Sequence, residues 1–117
     1  MISIVDDDAS ICDATRALIR SLGYMARTFR SAEEFLVSDE ATESCCLITD
    51  VQLAGLNGLE LQRRLIAAGS KIPIIFITAF SDENVRNRAL DAGAIGFLIK
   101  PFEEEHLIAC LQKALSA

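Results

Sequence analysis

Four apolar runs in this chain each end on a residue that handles charge or protons. Ile2 to Val5 run into Asp6, Asp7 and Asp8; Cys45 to Thr49 run into Asp50; Ile74 to Ile77 run into Thr78; Phe97 to Ile99 run into Lys100. Runs this short read as buried strands opening into loops, and Gly55 and Gly58 mark the loop after Asp50. If the strands lie parallel in one sheet, their C-terminal ends share an edge, and open α/β sheets bind ligands outside that edge. The edge then carries acids, a hydroxyl and one ammonium.

Asp6, Asp7 and Asp50, held within a few ångströms, would repel one another by roughly 1 to 4 kcal/mol per pair at surface-like dielectrics. Such a cluster calls for cations. Lys100 supplies one, and a hard divalent ion suits the remainder; Mg²⁺ keeps several waters and takes only one or two carboxylates, which makes it the natural choice. Carboxylates, an ammonium and a metal together attract a phosphoryl group, because the cations neutralise its oxygens while a carboxylate serves as nucleophile. The bland alternative is a solvated acidic edge with an incidental lysine. Its weakness is that four strand ends would have to carry these groups by chance.

The elements that must position these residues follow from periodicity. Ala9 to Leu22 carries Ile11, Ala14, Leu18 and Leu22 on one helical face and stops at Gly23, with Asp8 read as its N-cap. Tyr24 to Phe29 is a more polar strand of the kind found at a sheet edge. Ser31 and Glu34 have capping-box spacing for a short helix ending near Ser38, and Asp39 to Ser44 reads as an exposed acidic loop. Leu61, Leu65 and Ala68 mark a third helix closed by Gly69; Ser81 and Asp82 cap a fourth that carries Val85, Ala89 and Leu90 and stops at Gly93. After Pro101 the last helix opens with Glu103, Glu104 and Glu105, acids placed where its dipole favours them, and its stripe is Leu107, Ile108, Leu111 and Leu115. Five strands alternating with five helices predict an α/β doubly wound parallel sheet of flavodoxin-like (βα)5 form, with strand order 2-1-3-4-5 and its switch point between strands one and three.

The 117 residues make one domain, and 51% hydrophobic with 24% charged residues is the composition of a globular protein with a sheet covered on both faces. No apolar stretch approaches the length of a membrane span, and MISIVDDD has neither a basic region nor a cleavage site, so a cytoplasmic location is expected. The four cysteines (Cys12, Cys45, Cys46, Cys110) lack CxxC spacing and read as small reduced core residues. A net charge of −6 without a basic cluster argues against direct nucleic-acid binding.

The chain resembles the receiver domains of bacterial two-component response regulators, and among them the FixJ-like subgroup. The resemblance runs its whole length, 1–117, and rests on VDDD (Val5 to Asp8), TD (Thr49, Asp50), ITA (Ile77 to Ala79) and GFLIKPF (Gly96 to Phe102). It implies that Asp50 is the phosphoacceptor, that Asp6 and Asp7 with Asp50 and the Gln52 carbonyl bind Mg²⁺, and that Lys100 holds the phosphoryl group. It implies that Thr78 hydrogen-bonds to that group and that Phe97 is the switch aromatic. A cis bond before Pro101, a sensor histidine kinase as donor, and a phosphorylation-dependent homodimer through the fourth helix, fifth strand and last helix also follow from it. The domain would catalyse only its own phosphorylation and dephosphorylation. Output would be transcription control through a C-terminal DNA-binding part, or, alternatively, protein contacts of a stand-alone regulator or phosphorelay intermediate.

Two positions depart from the family pattern. Met-Pro usually stands three and four residues after the phosphoacceptor, where this chain has Leu53 and Ala54, and Tyr is frequent where Phe97 stands. The first predicts a less rigid loop around Gln52, the second a switch working by packing alone. A haloacid-dehalogenase-type phosphatase needs a second Asp two residues after the nucleophile, and Gln52 occupies that place. A flavodoxin-like cofactor binder would put its phosphate loop where three acids stand. The intact constellation speaks against a pseudo-receiver that only binds proteins.

Overall fold

The computed structural model describes residues 1–79 and 82–116; the expected cap at Ser81 lies outside them. Five strands, β1 (Ile2–Val5), β2 (Ala26–Phe29), β3 (Cys46–Thr49), β4 (Ile74–Thr78) and β5 (Gly96–Ile99), form one parallel sheet in the order β2-β1-β3-β4-β5. The order is the expected one, and its reason is burial: every residue of β1, β3 and β4 is buried, so these strands take the centre.

Alternate residues of the central strands serve opposite faces. Val5, Leu47 and Phe76 pack with Phe35, Leu61 and Leu65 on one side; Ile4, Ile48 and Ile77 pack with Ile19, Leu107 and Leu111 on the other. Those partners come from helices on both faces, α1 (Ala9–Ser21), α2 (Ala32–Leu36), α4 (Gly58–Ala67) and α6 (Glu104–Leu115), and α5 (Glu83–Asp91) adds Ala89 to the first side. Asp8 caps α1 as expected, its carboxylate accepting the Ser10 N–H at 2.8 Å and the Ile11 N–H at 3.3 Å. Lys100–Pro101 is a cis bond.

Two expectations need correcting. The acidic loop is partly helical: Glu40–Glu43 makes one turn, α3, anchored where Ser44 meets Ser3 of β1 and Glu40. This turn has no apolar period for a sequence reading to find, and tertiary hydrogen bonds hold it. The cysteines are not all core residues. Cys45 is exposed, while burial pushes the thiols of Cys12 and Cys110 up and that of Cys46 to about 12. All four are free thiols. No helix of the described residues is long and apolar enough to cross a membrane.

Candidate functional site

The sheet's own ladder delivers the site. Asp6, Asp50 and Lys100 are each the first residue past a strand, and each is tied by its amide to the neighbouring strand: Asp6 N–H to the Phe29 carbonyl at 3.1 Å, Asp50 N–H to Val5 at 3.1 Å, Lys100 N–H to Thr78 at 2.8 Å. Thr78 itself ends β4, fully buried. Parallel register therefore converts four distant stretches into one cluster.

At its centre the Lys100 ammonium donates to Asp50 Oδ2 at 3.1 Å and to Asp6 Oδ2 at 3.2 Å. Side-chain exposures of 17% for Lys100, 11% for Asp50 and 6% for Asp6 mean that water screens this triad only partly. Burial pushes the Asp6 carboxyl above the ordinary carboxylate range, although the Asp8 amide and Lys100 pull the other way. For Lys100, burial alone would lower the pKa, but the Asp50 hydrogen bond and charge, with those of Asp6, outweigh it and hold the ammonium above its ordinary value. The lysine is thus charged throughout the neutral range.

Asp7 does not join the triad. It is exposed, its Oδ2 accepts the Ala54 N–H at 3.2 Å, and its own carbonyl accepts from the Arg30 guanidinium at 3.1 Å. Among the described residues no group of three acids, histidines or cysteines is placed to hold a metal. Ala54, not being proline, has the amide that Asp7 accepts. In kind, however, carboxylates and the Gln52 carbonyl are the hard oxygen donors Mg²⁺ takes. Gln52 is exposed, its amide donating to Asp50 Oδ1 at 3.0 Å. Phe97, half-buried, leans on Phe76 with centroids 6.0 Å apart.

Two contributors escaped the sequence reading. Asn57 caps α4 in a capping box with Glu60, its side chain accepting the Glu60 N–H at 2.9 Å, a device typically worth about 1 kcal/mol. The spacing was there to be read. Glu33 accepts the Leu56 N–H at 3.3 Å and so ties the loop after Asp50 to α2. Nothing local in the sequence signals that contact, which spans 23 positions. A cavity of about 460 Å³ opens beside this loop, lined by Asp7, Gln52, Ala54 and Asn57. A larger one of about 730 Å³ lies at the opposite, N-terminal edge of the sheet and is lined by none of Asp6, Asp50, Thr78 and Lys100, so size does not locate the chemistry.

Residues 2–112 match the family model of the response regulator receiver domain. The chain belongs to that family. Relatives of this receiver domain include the response regulator protein TmoT of Ectopseudomonas mendocina, 43% identical over 98% of this chain and 52% of that protein. Another is the transcriptional regulatory protein FixJ of Bradyrhizobium diazoefficiens, 35% identical over 97% of this chain and 56% of its own length. Among solved structures, a response regulator receiver protein from Burkholderia phymatum is 47% identical, with a TM-score of 0.84 over 98% of this chain and 94% of that one. This receiver domain spans about half the length of the curated relatives it matches.

Proposed function

We propose that this receiver domain is a phosphorylation-controlled switch in which Asp50 accepts a phosphoryl group from a histidine of a sensor kinase. A carboxylate oxygen of Asp50 attacks phosphorus, the P–N bond of the phosphohistidine breaks, the imidazole nitrogen leaves with the bond pair, and an acyl phosphate results. The observation that carries this reading is the Lys100 ammonium, seated between Asp50 and Asp6 at 3.1 and 3.2 Å. A cation there neutralises charge gathering on the transferred oxygens, the largest service a protein renders in phosphoryl transfer. Asp6, Asp7 and Asp50 with the Gln52 carbonyl are the donors for Mg²⁺, which when bound supplies further charge neutralisation. The Thr78 hydroxyl takes a phosphoryl oxygen.

The same attack by Asp50 on a small acyl phosphate, with acetate as the leaving group, needs no kinase, so acetyl phosphate with Mg²⁺ tests it. Mass spectrometry is expected to show one short-lived phosphate on the wild type and none on Asp50→Asn; a label that survives in Asp50→Asn would sink the assignment.

In the same reading the domain works in the cytoplasm, and its output is transcription control by a further part of the protein. Support comes from the name and extra length of FixJ and from the −6 charge, which disfavours DNA binding by the receiver itself. Phosphorylation adds about −1.5 to −2 charge at the β3 edge. Movement of Thr78 towards it lets the Phe97 ring turn inward and reshapes the face of α5, β5 and α6, through which the phosphorylated domain forms a two-fold dimer. Sedimentation after phosphorylation should show dimers for wild type and fewer for Thr78→Ala and Phe97→Ala. Equal dimerisation of all three, with Asp50 phosphorylated in each, would exclude this coupling.

A further inference from the structure

Two cavities flank the connection from α4 to β4, at the edge of the sheet opposite Asp50, and they meet at Leu65, Lys71 and Ile72 to form one groove. The larger holds about 730 Å³ and the smaller about 310 Å³, sizes that accept a small organic molecule. The floor is apolar, with Leu65 buried and Leu36, Ala41 and Ile72 half-buried. The rim carries charge of one sign. Arg64 and Lys71 line the larger cavity, Lys71 and Lys113 the smaller, and no aspartate or glutamate lines either.

Exposed cations have an ordinary explanation, since lysine and arginine are mostly found in water at a protein surface. The charge balance sets these three apart. The chain has 17 acids against 11 bases, yet among the described residues the ion pairs are those of Lys100, so Arg64, Lys71 and Lys113 all stand without a carboxylate. Glu40 of the neighbouring α3 is engaged elsewhere, its carboxylate accepting the Ser44 hydroxyl at 3.1 Å. A run of acids on a partner protein could meet the cations but would leave the apolar floor uncovered. A molecule with one anionic group on an apolar body uses both, its body on the floor and its charge at the rim.

We propose that this groove is a second binding site, for a free amphipathic carboxylate, with Lys71 and Arg64 taking the carboxylate and the hollow over Leu65 taking the apolar body. None of Asp6, Asp50, Thr78 and Lys100 lines the groove, so the inference goes beyond the phosphoryl-transfer reading and does not rest on it.

The probe is 4-phenylbutanoate, titrated into the domain while backbone amide shifts are followed by NMR, with 4-phenylbutanol as its uncharged counterpart. The acid is expected to give saturable shifts confined to the groove, at Ala68, Gly69, Ser70 and Lys71, and the alcohol to bind about three- to tenfold more weakly, the worth of a charged hydrogen bond at an exposed rim. Lys71→Gln should weaken the acid by a similar factor and leave the alcohol unchanged, and its labelling at Asp50 by acetyl phosphate should match wild type. Equal binding of acid and alcohol would overturn the proposal, because the cations would then recognise nothing. Shifts that do not saturate, or that fall away from the groove, would overturn it as well. If an oligoglutamate peptide shifts these amides and 4-phenylbutanoate does not, the occupant is a protein segment and the small-molecule site is wrong. Should Lys71→Gln fail to fold by circular dichroism, acid against alcohol on the wild type decides.

Discussion

Gly58→Ala is expected to destabilise the domain by about 3 kcal/mol, the upper end of the cost of overpacking. At the first residue of a helix this exchange ordinarily helps, because alanine is the better helix former by up to about 1 kcal/mol. Here the space decides the sign. A Cβ on Gly58 would overlap the carbonyl oxygen of Asp50 and stand 2.9 Å from the Cα of Val51, and these are backbone atoms with no rotamer to escape through. The Gly58 amide also donates to the Val51 carbonyl at 2.9 Å, so α4 and the end of β3 cannot separate without losing that bond. Urea unfolding measures the loss. A midpoint equal to or above that of wild type would show that the β3–α4 junction relaxes freely.

Lys100→Met is expected to cost about 3 kcal/mol at pH 7.5, since removing one partner of a largely buried ion pair strands the other charge, and here two carboxylates are stranded. The cost should shrink as the pH falls. Asp6 already has a raised carboxyl pKa in the folded state, so folding holds a proton that the unfolded chain releases, and stability drops as pH rises from the ordinary carboxylate value, 3.8, through the folded one. Without Lys100 that folded value climbs further and the destabilisation concentrates above it. Lys100 acts with the same sign in a higher window: its raised pKa means that its stabilisation is complete below the ordinary 10.5 and is lost as pH rises through the folded value. Urea unfolding at pH 7.5 and pH 5 should therefore show a smaller deficit at the lower pH. An equal deficit at both would mean that Lys100 acts by packing of its stem and not by charge.

Strand order and the placing of Asp50, Asp6, Lys100 and Thr78 at strand ends were legible in the chain itself. The reason is that these depend on short-range signals: apolar runs of four or five residues set the buried strands, and the polar residue after each run falls at the sheet edge whatever the helices do. The helix stops at Gly23, Gly69 and Gly93 were equally local, each glycine taking a positive φ. What only the tertiary structure decided is where side chains go once the backbone is set. Lys100 lies 94 positions from Asp6 and 50 from Asp50, and its choice of those two acids over Asp7 follows from the register of β1, β3 and β5. Asp7 accepts the amide of Ala54, 47 positions away. Glu33 reaches Leu56 across 23 positions, and Ser44 reaches Ser3 across 41. A sequence names the donors and acceptors, but hydrogen bonds need partners within about 3 Å, and only packing brings distant ones that close.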